Sequence, residues 1–272
     1  MNISKIIIPA AGIGSRFLPI TKSIPKEMLP LSNKPAIEYI VQEAFDAQIK
    51  DNLIILSPEK KVIIDYFSQN SHLEGILQEQ NRLHYLNDIN NLISNARFQY
   101  FIQNKPAGLA NALLHAQPAI DSDEFFAVSL PDDIIFGQNP EISNLMQVAQ
   151  DKKAMVIAVQ EVPRESINSY GIMAPKKQLS DRCFQIDHLI EKPPVDQAPS
   201  NLAIVGRYIF HQSLFSYIPQ TKPKNGEILL PDTINFMISK GIDVYAYKIQ
   251  GTRFDIGTPQ GWLNFIAQNT AL

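Results

Sequence analysis

The chain has a single cysteine, Cys183, in 272 residues, so no disulfide can form within it, and this usage fits a reducing cytosol. Cys183 reads as a quiet strand or loop residue rather than a nucleophile. No run approaches the roughly 20 apolar residues of a membrane span, and no basic N-terminal segment leads into a long apolar stretch. A cytoplasmic protein is expected. An excess of one charge is also missing, since 24 basic against 27 acidic residues give a formal net charge of −3. Neither nucleic acid nor an anionic membrane is expected as a partner, and any bound anion must be held by a few placed cations. Internal repeats, low-complexity tracts and linker-like stretches are lacking too. What is present is ordinary for a globular protein, 45% hydrophobic and 19% charged. The length allows one large or two intimately joined domains with a substantial core.

Apolar strands and amphipathic helices alternate through the first half. Ile6-Ile7-Ile8 is a buried strand. Residues Lys34 to Ile49 carry Ile37, Ile40, Val41 and Ala44 at helical spacing. Strands follow at Asn52 to Ser57, Phe98 to Gln103 and Glu124 to Leu130. Between them lie a polar helical hairpin over 59–95, with Tyr66, Phe67, Leu73, Ile76, Leu77 and Leu83 as its buried positions, and a helix at Ala107 to Gln117. Such alternation predicts an α/β fold with a mostly parallel sheet wound by helices on both faces. Beyond Pro140 come a helix, a strand at Ala154 to Val162, and then short strands between turns from Ile172 to Phe210. This second half predicts a smaller, more antiparallel portion laid against the first. A helix stopped by Gly241, the strand VYAYKI, and a terminal helix beginning at Thr258-Pro259 complete the chain.

The most informative stretch is residues 5–30, KIIIPAAGIGSRFLPITKSIPKEMLP. A strand gives way to a loop of small residues, Ala10, Ala11, Gly12, Gly14 and Ser15, where backbone can approach a ligand closely. Arg16 and Lys26 then place a cation at each end of a short spacer. Strand, small-residue loop and fixed cations suit a polyphosphate, whose oxygens want N–H donors and positive charge. Two familiar phosphate loops are excluded. GxxxxGK[ST] is absent, and the third glycine of the dinucleotide fingerprint is replaced by Phe17.

In an open parallel sheet, ligands sit outside the carboxyl ends of the strands. That rule selects the first loop, Gln103 with Gly108 after the third strand, and Asp132-Asp133 after the fourth. Gln103 offers both a donor and an acceptor, which suits a pyrimidine edge, although a polar strand end explains it equally. The paired aspartates are either solvated caps or oxygen ligands for Mg²⁺, which takes one or two carboxylates plus phosphates and water. Glu191-Lys192 alone would read as an exposed ion pair of little energetic value.

PAAGIGSRFLPITKSIPKEMLPLSNKP resembles the signature of the nucleotidyltransferases that make nucleoside-diphosphate sugars. It is most similar to the bacterial UTP–glucose-1-phosphate uridylyltransferases, whose loop runs AAGxGTRxLPxTKxxPKEMLPxxxKP. The resemblance extends to the C-terminus, with Ser15 in place of threonine and Gly108-Leu109-Ala110-Asn111-Ala112 where GLGHA is usual. It implies a Rossmann-like nucleotide-binding half at 1–140 and a sugar-phosphate-binding half at 141–272. It implies that UTP and α-D-glucose 1-phosphate give UDP-glucose and pyrophosphate with Mg²⁺, and that the chain forms a homo-oligomer, dimer or tetramer.

The implied site residues follow. Arg16, Lys26, Asp132 and Lys192 are catalytic, and Asp132 and Asp255 of the FDxG element hold the metal. Ala10, Ala11, Gly12, Gly14, Ser15, Gln103 and Gly108 bind the nucleotide. Gly171, Glu191, Lys192, Val205, Gly206 and Glu227 bind the sugar phosphate, the last within GEILLPD where GEIQLTD is usual. Another nucleoside triphosphate, another sugar phosphate, or a regulatory binding protein are the alternatives. An NAD-dependent dehydrogenase fails on the broken fingerprint.

Overall fold

The computed structural model describes residues 1–268. Its centre is one nine-stranded sheet. From one edge the order is Arg97–Ile102, Asp51–Leu56, Lys5–Pro9, Phe125–Ser129, Leu202–His211, Met155–Glu161, Val244–Lys248, Cys183–Glu191 and Gly171–Gln178. The first four strands are mutually parallel. The long strand Leu202–His211 then runs antiparallel to Phe125–Ser129 on one side and to Met155–Glu161 on the other. The antiparallel strands therefore extend the same sheet rather than forming a layer against it.

Both faces of the sheet are covered, and the side-chain alternation of a strand shows how. Ile6, Ile8, Ile54 and Leu56 pack with helices Ala36–Asp46 and Glu141–Lys152. Their neighbours Ile7, Leu53 and Ile55 pack on the opposite face with helices Leu109–Leu114 and Leu230–Ser239. Each fully buried isoleucine contributes about 1.5–3 kcal/mol relative to exposure. The α/β, doubly wound expectation holds.

Several local expectations need correction. The helix predicted from Lys34 starts at Ala36, because Lys34–Pro35 pairs with Pro30–Leu31 as a small hairpin. Segment 59–95 contains three short helices, Lys61–Tyr66, Ser71–Glu79 and Asn87–Asn95. Phe67 is buried as expected and stacks on Phe98 at 4.8 Å, whereas Leu73, Ile76 and Leu83 are 40%, 40% and 36% exposed. Helical periodicity marks a face but does not say what covers it. A two-stranded antiparallel piece, Asp133–Phe136 with Thr252–Asp255, was not anticipated. The terminal helix is observed as Pro259–Gln268, and its predicted continuation through 269–272 lies outside the described residues. No described helix is long and apolar enough to cross a membrane.

Candidate active site

The four parallel strands send their following loops to one edge of the sheet. Ala10 N–H donates to Ile55 O at 2.8 Å and Gln103 N–H to Leu56 O at 2.8 Å, so these loops leave the sheet side by side. The first loop turns at Gly14, whose φ of +71° suits glycine and whose missing Cβ would lie 3.1 Å from the Thr21 side chain. Beyond that turn Arg16 reaches across to the C-terminal segment, where Nη1 donates to Gly257 O at 3.4 Å.

Lys26 Nζ meets Asp132 Oδ2 at 2.5 Å. Burial opposes the charge on Asp132, but Lys26 and more distantly Arg253 outweigh it and hold the carboxyl below the ordinary aspartate range. Burial likewise opposes the Lys26 ammonium, which Asp132 and then Glu27 keep above its ordinary value. The unanticipated strand pair explains how Asp255 arrives. Asp255 registers opposite Asp133, and Ile256 N–H donates to Asp132 O at 2.9 Å. Asp132 and Asp255 then flank Gly257, where an added Cβ would stand 3.1 Å from Asp132 Oδ2 and 3.2 Å from Asp255 Oδ1. Two carboxylates facing a space of atomic size fit a Mg²⁺ that completes its shell with phosphate and water. Among the described residues no cluster of three or more metal-ligating side chains occurs.

Asp133 does not share that space. Its Oδ2 accepts from Gly206 N–H at 2.7 Å and its Oδ1 from Arg253 at 2.5 Å. Burial raises its pKa despite Arg253. Arg253 also lies 3.4 Å from Asp255 and 5.0 Å above the Tyr170 ring, and Tyr170 Oη donates to Asp255 Oδ2 at 3.3 Å. Burial works against the guanidinium, but Asp133 and Asp255 raise its pKa further. Arg253 was missed in the sequence, although it stands two residues before Asp255 and so on the same strand face.

A cavity of about 270 Å³ is lined by Arg16, Asp132, Tyr170, Gly171, Glu191 and Gly206. It adjoins a larger one of about 820 Å³ that shares Arg16, Tyr170 and Asp255 and adds Lys192. Lys192 has a positive φ of 45° and its Nζ lies 3.7 Å from Glu191. Val205 is not brought to this cleft by its side chain, which is fully buried in the core, and Ile204 lines the wall instead. Glu227 is exposed on a turn closed by its own N–H to Lys224 O, outside the cavity lining.

A separate cavity of about 350 Å³ holds Ala11, Ile13, Thr21, Lys60 and Gln103. Ala10 is fully buried and contributes only backbone, whereas Gly12 and Ser15 are exposed. Gln103 is 5% exposed, and its Nε2 donates to Asn111 Oδ1 at 3.2 Å. Gly108, at φ +90°, fits against Ile228 O, which an added Cβ would approach to 2.6 Å. Lys60 is the other residue missed. The strand-end rule that selected three loops also selects the one after Asp51–Leu56, and Lys60 is there.

The model for nucleotidyl transferases matches residues 5–271. The chain belongs to the nucleotidyl transferase family. It is an enzyme of that family, and within it the chain groups with the bacterial UTP–glucose-1-phosphate uridylyltransferases. The uridylyltransferase of Mycoplasma pneumoniae is 40% identical over 264 residues, covering 96% of this chain and 90% of that one. A crystal structure of an apo UDP-glucose pyrophosphorylase superposes with a TM-score of 0.93 at 34% identity, covering 99% and 98% of the two chains. A UDP-glucose pyrophosphorylase complexed with UDP-glucose gives 0.90 at 34% identity, covering 99% of both. This chain therefore shares the fold of these structures over nearly its whole length.

Proposed function

We propose that this enzyme makes UDP-glucose and pyrophosphate from UTP and α-D-glucose 1-phosphate. The observation that carries the reading is the meeting of Lys26, Asp132 and Asp255 around Gly257, with Arg16 bonded to the same glycine. These groups come from chain segments more than a hundred residues apart, and a structural core has no use for them together at an open cleft. Residues 1–140 would receive the nucleotide and 141–272 the sugar phosphate, and the names of the relatives support that choice of substrates.

The chemistry asks little of acid–base groups, because a phosphate monoester is already a nucleophile. Its oxygen attacks the α-phosphorus of UTP in line, and pyrophosphate departs on the opposite side. Electrostatics is the obstacle: two like unit charges about 4 Å apart repel by about 4 kcal/mol at an effective dielectric near 20. Lys192 and Glu191 would hold the sugar phosphate and sugar hydroxyls, aligning the nucleophile. Arg16, Lys26 and the N–H groups of Ala11 to Ser15 would stabilise the charge that develops on pyrophosphate. Gln103 and Gly108 would receive the uracil edge. Asp132 and Asp255 would hold Mg²⁺, which when bound supplies a Lewis acid that neutralises phosphate oxygens.

Pyrophosphate release measured with each of the four nucleoside triphosphates against several sugar phosphates tests the proposal. Turnover should require Mg²⁺ and be highest for UTP with glucose 1-phosphate. Turnover with a different pair, or none at all, would overturn it.

A further inference from the structure

The loop at residues 10–16 keeps its shape because something outside it holds its carbonyls. Lys60 is 6% exposed, and its ammonium has three donors. All three are used within the protein, on Ala10 O at 2.6 Å, Gly12 O at 2.6 Å and Glu27 Oε2 at 2.7 Å. Thr21 Oγ1 donates to the next alternate carbonyl, Gly14 O, at 2.8 Å. In a planar trans peptide the C=O and the following N–H point in opposite directions. Holding the carbonyls of Ala10, Gly12 and Gly14 therefore turns the N–H groups of Ala11, Ile13 and Ser15 away from their clamps. Among the described residues, no backbone N–H from Ala11 to Arg16 donates to an acceptor within the chain. A row of N–H groups left uncommitted at a strand-to-loop transition is an anion receptor.

We propose that Lys60 is a positioning residue for the nucleotide, setting these N–H groups toward the triphosphate through the loop's carbonyls rather than by touching substrate itself. Glu27, 2% exposed, supplies the counter-charge that allows an ammonium to be buried beneath the loop. Thr21 is the second clamp of the same device. The inference deepens the proposed function, since it takes the ligand of this loop to be the UTP triphosphate.

The test separates charge compensation from loop shaping. Lys60→Met alone leaves Glu27 buried without a partner and risks failing to fold, so the informative variant is Glu27→Gln/Lys60→Met, which removes both charges. Melting temperature, kcat and KM for each substrate, and UTP binding by calorimetry in Mg²⁺ are measured together. The double variant should melt close to wild type, yet lose about 100-fold in kcat/KM for UTP, the scale of losing an oriented donor. Its KM for glucose 1-phosphate should change by less than about threefold, since Lys60 has no contact with that cleft. Thr21→Val should lower UTP kcat/KM by about tenfold, and Thr21→Ser should restore it by returning the hydroxyl donor. A double variant that regains UTP kinetics together with its melting temperature would overturn the proposal. If the double variant does not fold, unchanged UTP kinetics in Thr21→Val would overturn it instead. Should wild type bind UTP but release no pyrophosphate, the functional reading falls, and the UTP affinities of wild type and variants still decide the role of Lys60.

Discussion

Replacing Arg253 by Met should destabilise the protein more than any exposed ion pair would. Arg253 and Asp133 side chains are each 7% exposed, and the guanidinium meets Asp133 Oδ1 at 2.5 Å while lying 3.4 Å from Asp255. Methionine keeps much of the side-chain volume but leaves Asp133 as a buried carboxylate without its partner, which costs about 3–5 kcal/mol. Loss of the cation above Tyr170 adds about 0.5–1 kcal/mol. For a chain of this size each kcal/mol lowers Tm by about 2–4 °C, so a fall of roughly 10 °C is expected.

The pH dependence has a definite sign. Burial already raises the Asp133 pKa against the opposition of Arg253, and removing that opposition raises it further. A carboxyl whose folded pKa lies above its unfolded value binds protons more readily when folded. Stability is then retained below the unfolded pKa and lost as pH rises toward the folded one. The gap in Tm between wild type and Arg253→Met should therefore be wide at about pH 8 and narrow at about pH 5. Differential scanning calorimetry across that range, with Asp133→Asn/Arg253→Met as the partly recovered control, measures it. A loss below about 1 kcal/mol, typical of an exposed pair, or a gap that widens on acidification, would refute the reasoning.

Other perturbations address the chemistry. Asp132→Asn should lower kcat by about 10²–10³-fold while leaving Tm near wild type, measured by pyrophosphate release in saturating Mg²⁺. Lys192→Ala should mainly raise KM for glucose 1-phosphate and leave KM for UTP within about threefold, as initial-rate kinetics in each substrate will read. Asn111→Leu should free the Gln103 amide from its 3.2 Å bond and reduce the preference for UTP over CTP by about tenfold. Competition between the two nucleotides measures that ratio directly.

The parts of this molecule that were legible in the sequence are those governed by local periodicity and by the strand-end rule. Ile6-Ile7-Ile8 could only be a strand buried on both faces, and it is. That Arg16, Lys26 and Asp132 would converge on one edge followed because the loops of parallel strands share it. Asp255 was reachable only through family resemblance, since the pairing that delivers it links residues more than a hundred positions apart. Leu73 and Ile76 were misjudged because a helical stripe records an apolar face without its neighbour. Val205 was assigned by motif to the sugar pocket, yet alternation along its strand turns the side chain into the core and gives the cleft to Ile204 and Gly206.

Lys60 and Arg253, which escaped sequence reasoning, and Asn111, noted there only as a departure from GLGHA, have one property in common. Each acts on another protein group, whether a carbonyl, a carboxylate or an amide, so none carries a signature of substrate chemistry. Their effect is nonetheless electrostatic and directional. Lys60 fixes which way peptide dipoles point, Arg253 holds Asp133 on Gly206 and leaves Asp132 to face Asp255, and Asn111 orients the Gln103 amide. A site that must bring two phosphate groups together needs its donors aligned before substrate arrives, because reorienting dipoles during the reaction would add to the barrier. The buried charges of Lys60 and Arg253, behind the proposed catalytic groups, would supply that alignment. The cost of burying them explains why each is hydrogen-bonded to a counter-charge or to backbone.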